Sequence, residues 1–278
     1  METKRHCGSL PAEPLLAIRD LTLHYNSRTL LTPERPAVKA LDRVSLELYA
    51  GTTLAIVGPS GSGKSSLARC MVVLERPSSG EILYAGQNLL TLKPAALKSA
   101  RRNIHLIFQD SASALNPSLS VEEILAEPVE IHESSATAPD RRRRMHEAME
   151  QVELPPSWLA KRPLELSGGQ RQRVAIARAL MLQPKILILD EALASLDVST
   201  QNQIANLLLH LQRQHAIAYA FITHDLAMAA ALAHEAVVLR EGRILERGSC
   251  AQLITFVSQA NRGIAASHSP AGETVSVP

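Results

Sequence analysis

Aromatic residues are scarce in this 278-residue chain, where one tryptophan, four tyrosines and three phenylalanines make up 3%. Proteins that grip single-stranded nucleic acid present rows of aromatic platforms along a basic groove. A formal charge of only +2 supplies no strong basic field either. Nucleic acid is therefore excluded as the main partner. Cysteine is also rare: Cys7, Cys70 and Cys250 form no CxxC pair or other metal-ligand spacing, and they fit a reducing compartment. Long hydrophobic runs are missing. Arg178 and Lys185 interrupt one apolar region, and His234 and Glu235 another, so no stretch reaches the roughly 20 residues that span a bilayer. Met1 to His6 is charged and leads into Gly and Pro, so a secretory signal is not expected. If the protein works at a membrane, another chain supplies the membrane part.

What is present is an alternation of strands and helices. Leu15 to Tyr25 advances in short apolar steps and reads as a strand, followed by a polar, proline-bearing loop over Asn26 to Pro36. Val44, Leu46 and Leu48 alternate with polar residues, and Thr53 to Val57 is an apolar run that ends at Gly58. Lys64 to Leu74 reads as a helix stopped by Pro77 to Gly80, Glu81 to Tyr84 as a strand, and Asn103 to Phe108 as a buried strand. Ser120 and Glu123 make a capping box ahead of Ile124 and Leu125, and Arg141 to Val152 continues as a charged helix whose arginines form a solvated face. Ile186 to Leu189 and Ala218 to Ile222 are core strands. Between them, Thr200 to Gln212 is a helix with Ile204, Leu207, Leu208 and Leu211 on one face. Ala236 to Leu239 and Arg243 to Glu246 close as a hairpin across Glu241-Gly242. The pattern implies an α/β domain with a largely parallel sheet.

Two motifs carry chemistry. Gly58-Pro59-Ser60-Gly61-Ser62-Gly63-Lys64-Ser65 fits GxxxxGK[ST] and lies between a predicted strand and helix. Its glycines let backbone N–H groups wrap phosphates, Lys64 reaches the outer phosphates, and Ser65 offers a hydroxyl to Mg²⁺. Asp190 ends an apolar strand, which places a carboxylate at the carboxyl edge of the sheet as a second holder of Mg²⁺. Glu191, next to it, can orient or deprotonate an attacking water.

Taken with Gln109 after a strand, Leu166-Ser167-Gly168-Gly169-Gln170, Ser195-Leu196-Asp197 and His224, these motifs resemble ATP-binding cassette (ABC) ATPases over Leu15 to Arg247. The resemblance implies an α/β phosphate-loop ATPase domain over residues 1–257. It would have a mainly parallel core sheet, an N-terminal antiparallel β subdomain and an inserted helical subdomain at about residues 110–166, while the Ala, Ser, Gly and Pro composition of 258–278 reads as a flexible tail. It implies ATP and Mg²⁺ as cofactors. Tyr25 would stack on adenine, and Gly58 to Ser65 with Ser66 and Gln109 would hold the nucleotide. Ser65, Gln109 and Asp190 would hold Mg²⁺. Glu191 and His224 would be catalytic, with His224 on the terminal phosphate. Ser167, Gly168, Gly169, Gln170 and Asp197 would complete the ATP site of a second, non-identical ATPase in a head-to-tail dimer, with the helix from Arg171 aiming its positive end at that phosphate.

Arg101 to Asp110, Ala114-Leu115-Asn116-Pro117 and Glu127-Pro128 are similar to the peptide and nickel uptake branch of ABC importers. Phe108 to Ala114 and Asp190-Glu191-Ala192 lean towards its nickel-import (NikE-type) subunits, with peptides or opines as the alternative cargo. The ten histidines are scattered, so nickel itself is not expected to bind this chain. The implied partners are two membrane permeases and, indirectly, a substrate-binding protein, with the ATPase peripheral on the cytoplasmic face of a bacterial inner membrane. Soluble ABC proteins acting on DNA split the two halves of the cassette with a long coiled coil, and translation-type members carry two cassettes. Neither pattern is found here.

Overall fold

The computed structural model describes residues 13–25, 38–108, 115–133, 135–250 and 252. Gln109 and the tail expected over 258–278 lie outside the described residues. In chain order the elements are β1 (Leu16–Tyr25), β2 (Val38–Leu48), β3 (Thr53–Val57), α1 (Lys64–Met71), β4 (Ser79–Tyr84), β5 (Gln87–Asn88), α2 (Pro94–Arg101), β6 (Ile104–Ile107), α3 (Val121–His132), α4 (Ala138–Gln151), α5 (Gly168–Leu180), β7 (Ile186–Asp190), α6 (Val198–His215), β8 (Ala218–Thr223), α7 (Leu226–Leu232), β9 (Glu235–Arg240) and β10 (Arg243–Gly248). They form an antiparallel sheet ordered β2-β1-β4-β5 and a six-stranded sheet ordered β10-β9-β3-β8-β7-β6. In the second sheet every pairing is parallel except the closing β9–β10 hairpin.

The uninterrupted apolar strands β3, β7 and β8 are buried at every position, as parallel strands covered on both faces must be. Their period of two then divides the interior. Ile186 and Ile188 of β7, and Ala218, Ala220 and Ile222 of β8, join a cluster with α1 and the antiparallel sheet. Leu187, Leu189, Tyr219 and Phe221 face the other way, onto α3, α4, α5 and α6. Alanines on one face and aromatics on the other let the sheet sit close to α1 while filling a wider gap beneath the helices. Fully burying one large apolar side chain contributes about 1.5–3 kcal/mol. Tyr219 satisfies its buried hydroxyl by donating to the Leu208 carbonyl at 2.8 Å, and burial pushes that phenol well above its usual range.

Several sequence expectations shift. α1 stops at Met71 rather than Leu74, because Val73 turns left-handed at φ 54°. β6 is half-buried rather than buried, since it is the edge of the sheet and its two middle residues, His105 and Leu106, are only partly covered. The helix expected from Arg171 begins at Gly168. α2 and α7 were not foreseen. α2 buries no residue fully and packs on the core only through Leu97 and Ala100, a stripe too short to announce it. The Ser120–Glu123 capping box is formed in full. The arginines of α4 are less solvated than expected. Arg144 meets Glu133 at 2.8 Å, and that carboxylate also takes Arg102 at 2.6 Å, tying α4 to the end of α2 just before β6.

Candidate nucleotide site

Parallel register brings the motif residues together. Val57 pairs with Thr223, Asp190 with Ile222 and Leu189 with Ile107. Consequently Gly58, Glu191, His224 and Phe108 leave the sheet at one carboxyl edge, where α/β proteins bind ligands. Above that edge lies a cavity of about 620 Å³ lined by Tyr25, residues 38–40, the phosphate-loop residues Ser60, Gly61 and Gly63 to Ser66, Glu191, and the Glu241-Gly242 turn.

The loop enters α1 through Gly63, whose φ of 103° suits a residue without a side chain. Among the described residues no side chain caps that helix, so its first N–H groups remain available to an anion. Lys64 is 5% exposed, and its Nζ donates to the Gly58 and Pro59 carbonyls at 2.9 Å each. It also stands 3.7 Å from Glu191 Oε1. Ser62 is buried and, among the described residues, its Oγ has no hydrogen-bond partner. Gly58 and Pro59 do not line the cavity. They support it from behind, and a Cβ at Gly58 would fall 2.1 Å from the Leu239 carbonyl.

Ser65 Oγ donates to Asp190 Oδ1 at 3.2 Å. Burial raises the Asp190 carboxyl above its usual range, and the neighbouring Glu191 adds to this against Ser65, Arg69 and Lys64. A hydroxyl and a buried, charge-crowded carboxylate are hard oxygen donors that a divalent cation would suit, and such a cation would relieve the crowding. Glu191 itself takes φ 48°, an uncommon value outside glycine. It is pinned there by donating its N–H to the Ile222 carbonyl and accepting from Ala194 N, both at 3.0 Å. Its second oxygen lies 3.7 Å from His224 Nδ1, and that imidazole is 63% exposed. One carboxylate thus lies between a buried ammonium and an open histidine.

Tyr25 lines the cavity at the end of β1. Its hydroxyl donates to Glu75 Oε2 at 2.6 Å and meets Ser66 Oγ at 3.1 Å. Burial and the Glu75 carboxylate raise the phenol, so it stays a donor. Sequence reading missed Glu75, Lys39 and the Glu241-Gly242 turn. Only that last pair carried a visible signal, and it spoke of a hairpin rather than a ligand.

Ser167, Gly168, Gly169, Gln170 and Asp197 do not line this cavity. Ser167 caps α5, accepting from Gln170 N at 3.3 Å while Gln170 Oε1 accepts from Ser167 N at 2.8 Å. Asp197 caps α6 by accepting from Thr200 N at 2.9 Å. The two capped ends touch, since a Cβ on Gly169 would lie 2.4 Å from Thr200 Cγ2.

The ABC transporter family profile matches residues 41–194. The di/tripeptide transport ATP-binding protein DppF of Pseudomonas aeruginosa (strain UCBPP-PA14) is 42% identical over 241 residues, covering 87% of this chain and 74% of the relative. The glutathione import ATP-binding protein GsiA of Escherichia coli (strain K12) is 43% identical over 237 residues, covering 85% of this chain but 38% of the relative. Among solved structures, the dimeric bacterial ABC transporter cassette MJ0796 superposes with a TM-score of 0.74 at 30% identity, over 84% of this chain and 98% of that one. Matched by that profile over more than half its length and by a transport ATP-binding protein over most of both chains, the chain is an ATP hydrolase that belongs to the ABC transporter family.

Proposed function

We propose that this protein is the ATP-hydrolysing subunit of an ABC importer whose cargo is a short peptide. The supporting observation is the DppF relative, matched over most of both chains and named for di- and tripeptide transport. GsiA, named for glutathione import, is itself named for a tripeptide cargo, although the chain spans well under half of its length. The Phe108 to Ala114 and Ala192 likeness had favoured nickel or a metal chelate over peptides. It rests on a few residues, six of which lie outside the described ones, and the peptide reading displaces it.

In this reading Lys64 exchanges its two loop carbonyls for phosphate oxygens, and the uncapped start of α1 receives the charge. Ser65 and Asp190, with Gln109, hold Mg²⁺, which neutralises charge on the phosphates when bound. Glu191 takes a proton from the attacking water, and His224 contacts the terminal phosphate. Ser167 to Gln170 and Asp197 serve a second ATPase subunit, consistent with the dimeric MJ0796 cassette. Among the described residues no helix is long and apolar enough to cross a membrane. Two permeases would supply the path, fed by a substrate-binding protein, with this subunit on their cytoplasmic side.

Tyr25 in this scheme stacks on adenine and is aimed by its hydroxyl. Tyr25→Phe keeps the ring but frees it from Glu75 and Ser66, and one such net hydrogen bond corresponds to roughly threefold to tenfold in affinity. MgATP titration of the full chain should show that weakening, with a much larger loss for Tyr25→Ala. A Phe variant that binds as tightly as the native protein removes the aiming role.

Cargo is tested by deleting the gene and measuring uptake of a labelled dipeptide and of labelled nickel. Dipeptide uptake should collapse, return with the native gene, and fail to return with a Lys64→Ala copy, while nickel uptake holds. Loss of nickel uptake with peptide uptake intact reverses the assignment.

A further inference from the structure

The phosphate loop is gripped from outside at three points, all on β2 and the β9–β10 hairpin. A Cβ at Gly58 would lie 2.1 Å from the Leu239 carbonyl of β9, and one at Gly63 would lie 2.5 Å from the Ala40 carbonyl of β2. Between them, the Ser62 carbonyl accepts from Gly242 N at 3.0 Å. Gly242 has φ 75°, and its own Cβ would lie 2.7 Å from the same Ala40 carbonyl, so the turn is wedged against β2. Glu241 beside it is also left-handed at φ 51°, as a two-residue hairpin turn of this kind requires, at a cost in strain for a residue with a side chain.

What fixes it is Asp42. Its N–H donates to the Gly242 carbonyl at 2.8 Å, and its Oδ2 accepts from Arg243 Nε at 2.6 Å, with Arg243 Nη2 on the same oxygen. The Asp42 side chain is 4% exposed, and its other oxygen takes Lys39 Nζ at 2.7 Å. Lys39 first, and then Arg243, hold this carboxyl below the usual carboxylate range. Removing Arg243 therefore still leaves the buried charge a partner. Among the described residues β10 is the edge of its sheet, with no strand on its far side to hold the turn in place.

We propose that the Asp42–Arg243 pair is a positioning clamp for the phosphate loop, setting its affinity for ATP through the Glu241-Gly242 turn. The clamp deepens the ATP-site assignment and rests on it. Nothing in the pair touches the reacting atoms. Its action is to keep the Gly242 N–H on the Ser62 carbonyl, so that the loop's remaining N–H groups stay turned to the cavity.

The hairpin carries its own control. At its far end Arg247 Nη2 pairs with Glu235 Oε2 at 2.9 Å, another cross-strand ion pair remote from the loop. MgATP affinity is measured on the full chain by displacement of a fluorescent ATP analogue, alongside the thermal midpoint. Arg243→Met should weaken binding roughly tenfold, and Gly242→Ala should do the same from the other side of the contact. Arg247→Met should leave affinity unchanged. In the assembled transporter Arg243→Met should raise KM for ATP while kcat at saturation stays within about twofold. Native affinity in both Arg243→Met and Gly242→Ala overturns the clamp. So does equal weakening by Arg247→Met, which would mark a general loosening of the hairpin. If Lys64→Ala binds MgATP as the native chain does, the ATP-site assignment itself fails and the clamp falls with it.

Discussion

Glu191→Gln should reduce ATP turnover by about 10²–10⁴-fold, the usual contribution of a positioned base, while ATP binding persists or tightens. The amide fills the same space and can keep the φ 48° turn, because that turn is fixed by the backbone bonds to Ile222 and Ala194 rather than by the side chain. What it cannot do is accept a proton. It also removes a negative charge that helps raise the Asp190 carboxyl, so a cation-loaded nucleotide meets less opposition. The variant should therefore accumulate as an ATP-bound dimer, visible by size-exclusion chromatography with MgATP. Turnover within about tenfold of the native rate would place the base elsewhere. The exposed His224 would then be the next group to test.

The second large effect is expected at Ser167. Replacing it with Arg deletes the α5 cap, at a cost of about 0.5–2 kcal/mol, and sets a bulky cation on an exposed helix start. Hydrolysis by the paired ATPases should fall by at least about tenfold, whereas MgATP binding by the single chain stays within about twofold, because Ser167 does not line its own cavity. Ser167→Asp separates stability from function. Aspartate caps a helix as well as serine does and suits the positive helix end, so the fold should be unharmed. Its charge would nonetheless oppose a phosphate presented by the partner, and hydrolysis should still drop. If single-chain binding is lost in the Asp variant, the stretch belongs to this chain's own site.

Much of this was legible because the key strands are short apolar runs ended by chemistry. Once Thr53 to Val57, Ile186 to Leu189 and Ala218 to Ile222 are taken as parallel neighbours, Gly58, Asp190, Glu191 and His224 must gather at one edge. Less legible was whatever depends on distant pairing. Lys39 and Asp42 read as ordinary polar residues of an alternating strand, and nothing local says that a turn some two hundred residues later closes over them. Glu75, beyond the end of α1, likewise becomes meaningful only when Tyr25 is folded onto it. The edge position of β6 is equally silent in the sequence, since edge and centre are properties of the sheet order. Cargo preference was read from a few residues, Phe108 to Ala114 and Asp190-Glu191-Ala192, whereas the similarity that favours peptides is spread over most of the chain.

The contact between Gly169 and Thr200 has one more consequence. A Cβ at Gly168 would meet Leu196 Cδ2 at an ordinary 3.5 Å, but at Gly169 it would collide with the Thr200 methyl. Thr200 also donates its hydroxyl to Asp197 Oδ2 at 2.7 Å. The second glycine is therefore written by the chain's own interior, and the first is free to answer to a partner. Two adjacent, identical letters thus answer to different neighbours. In descendants of this sequence a side chain at 169 should arise together with a smaller residue at 200, whereas 168 should vary only with the surface that meets it.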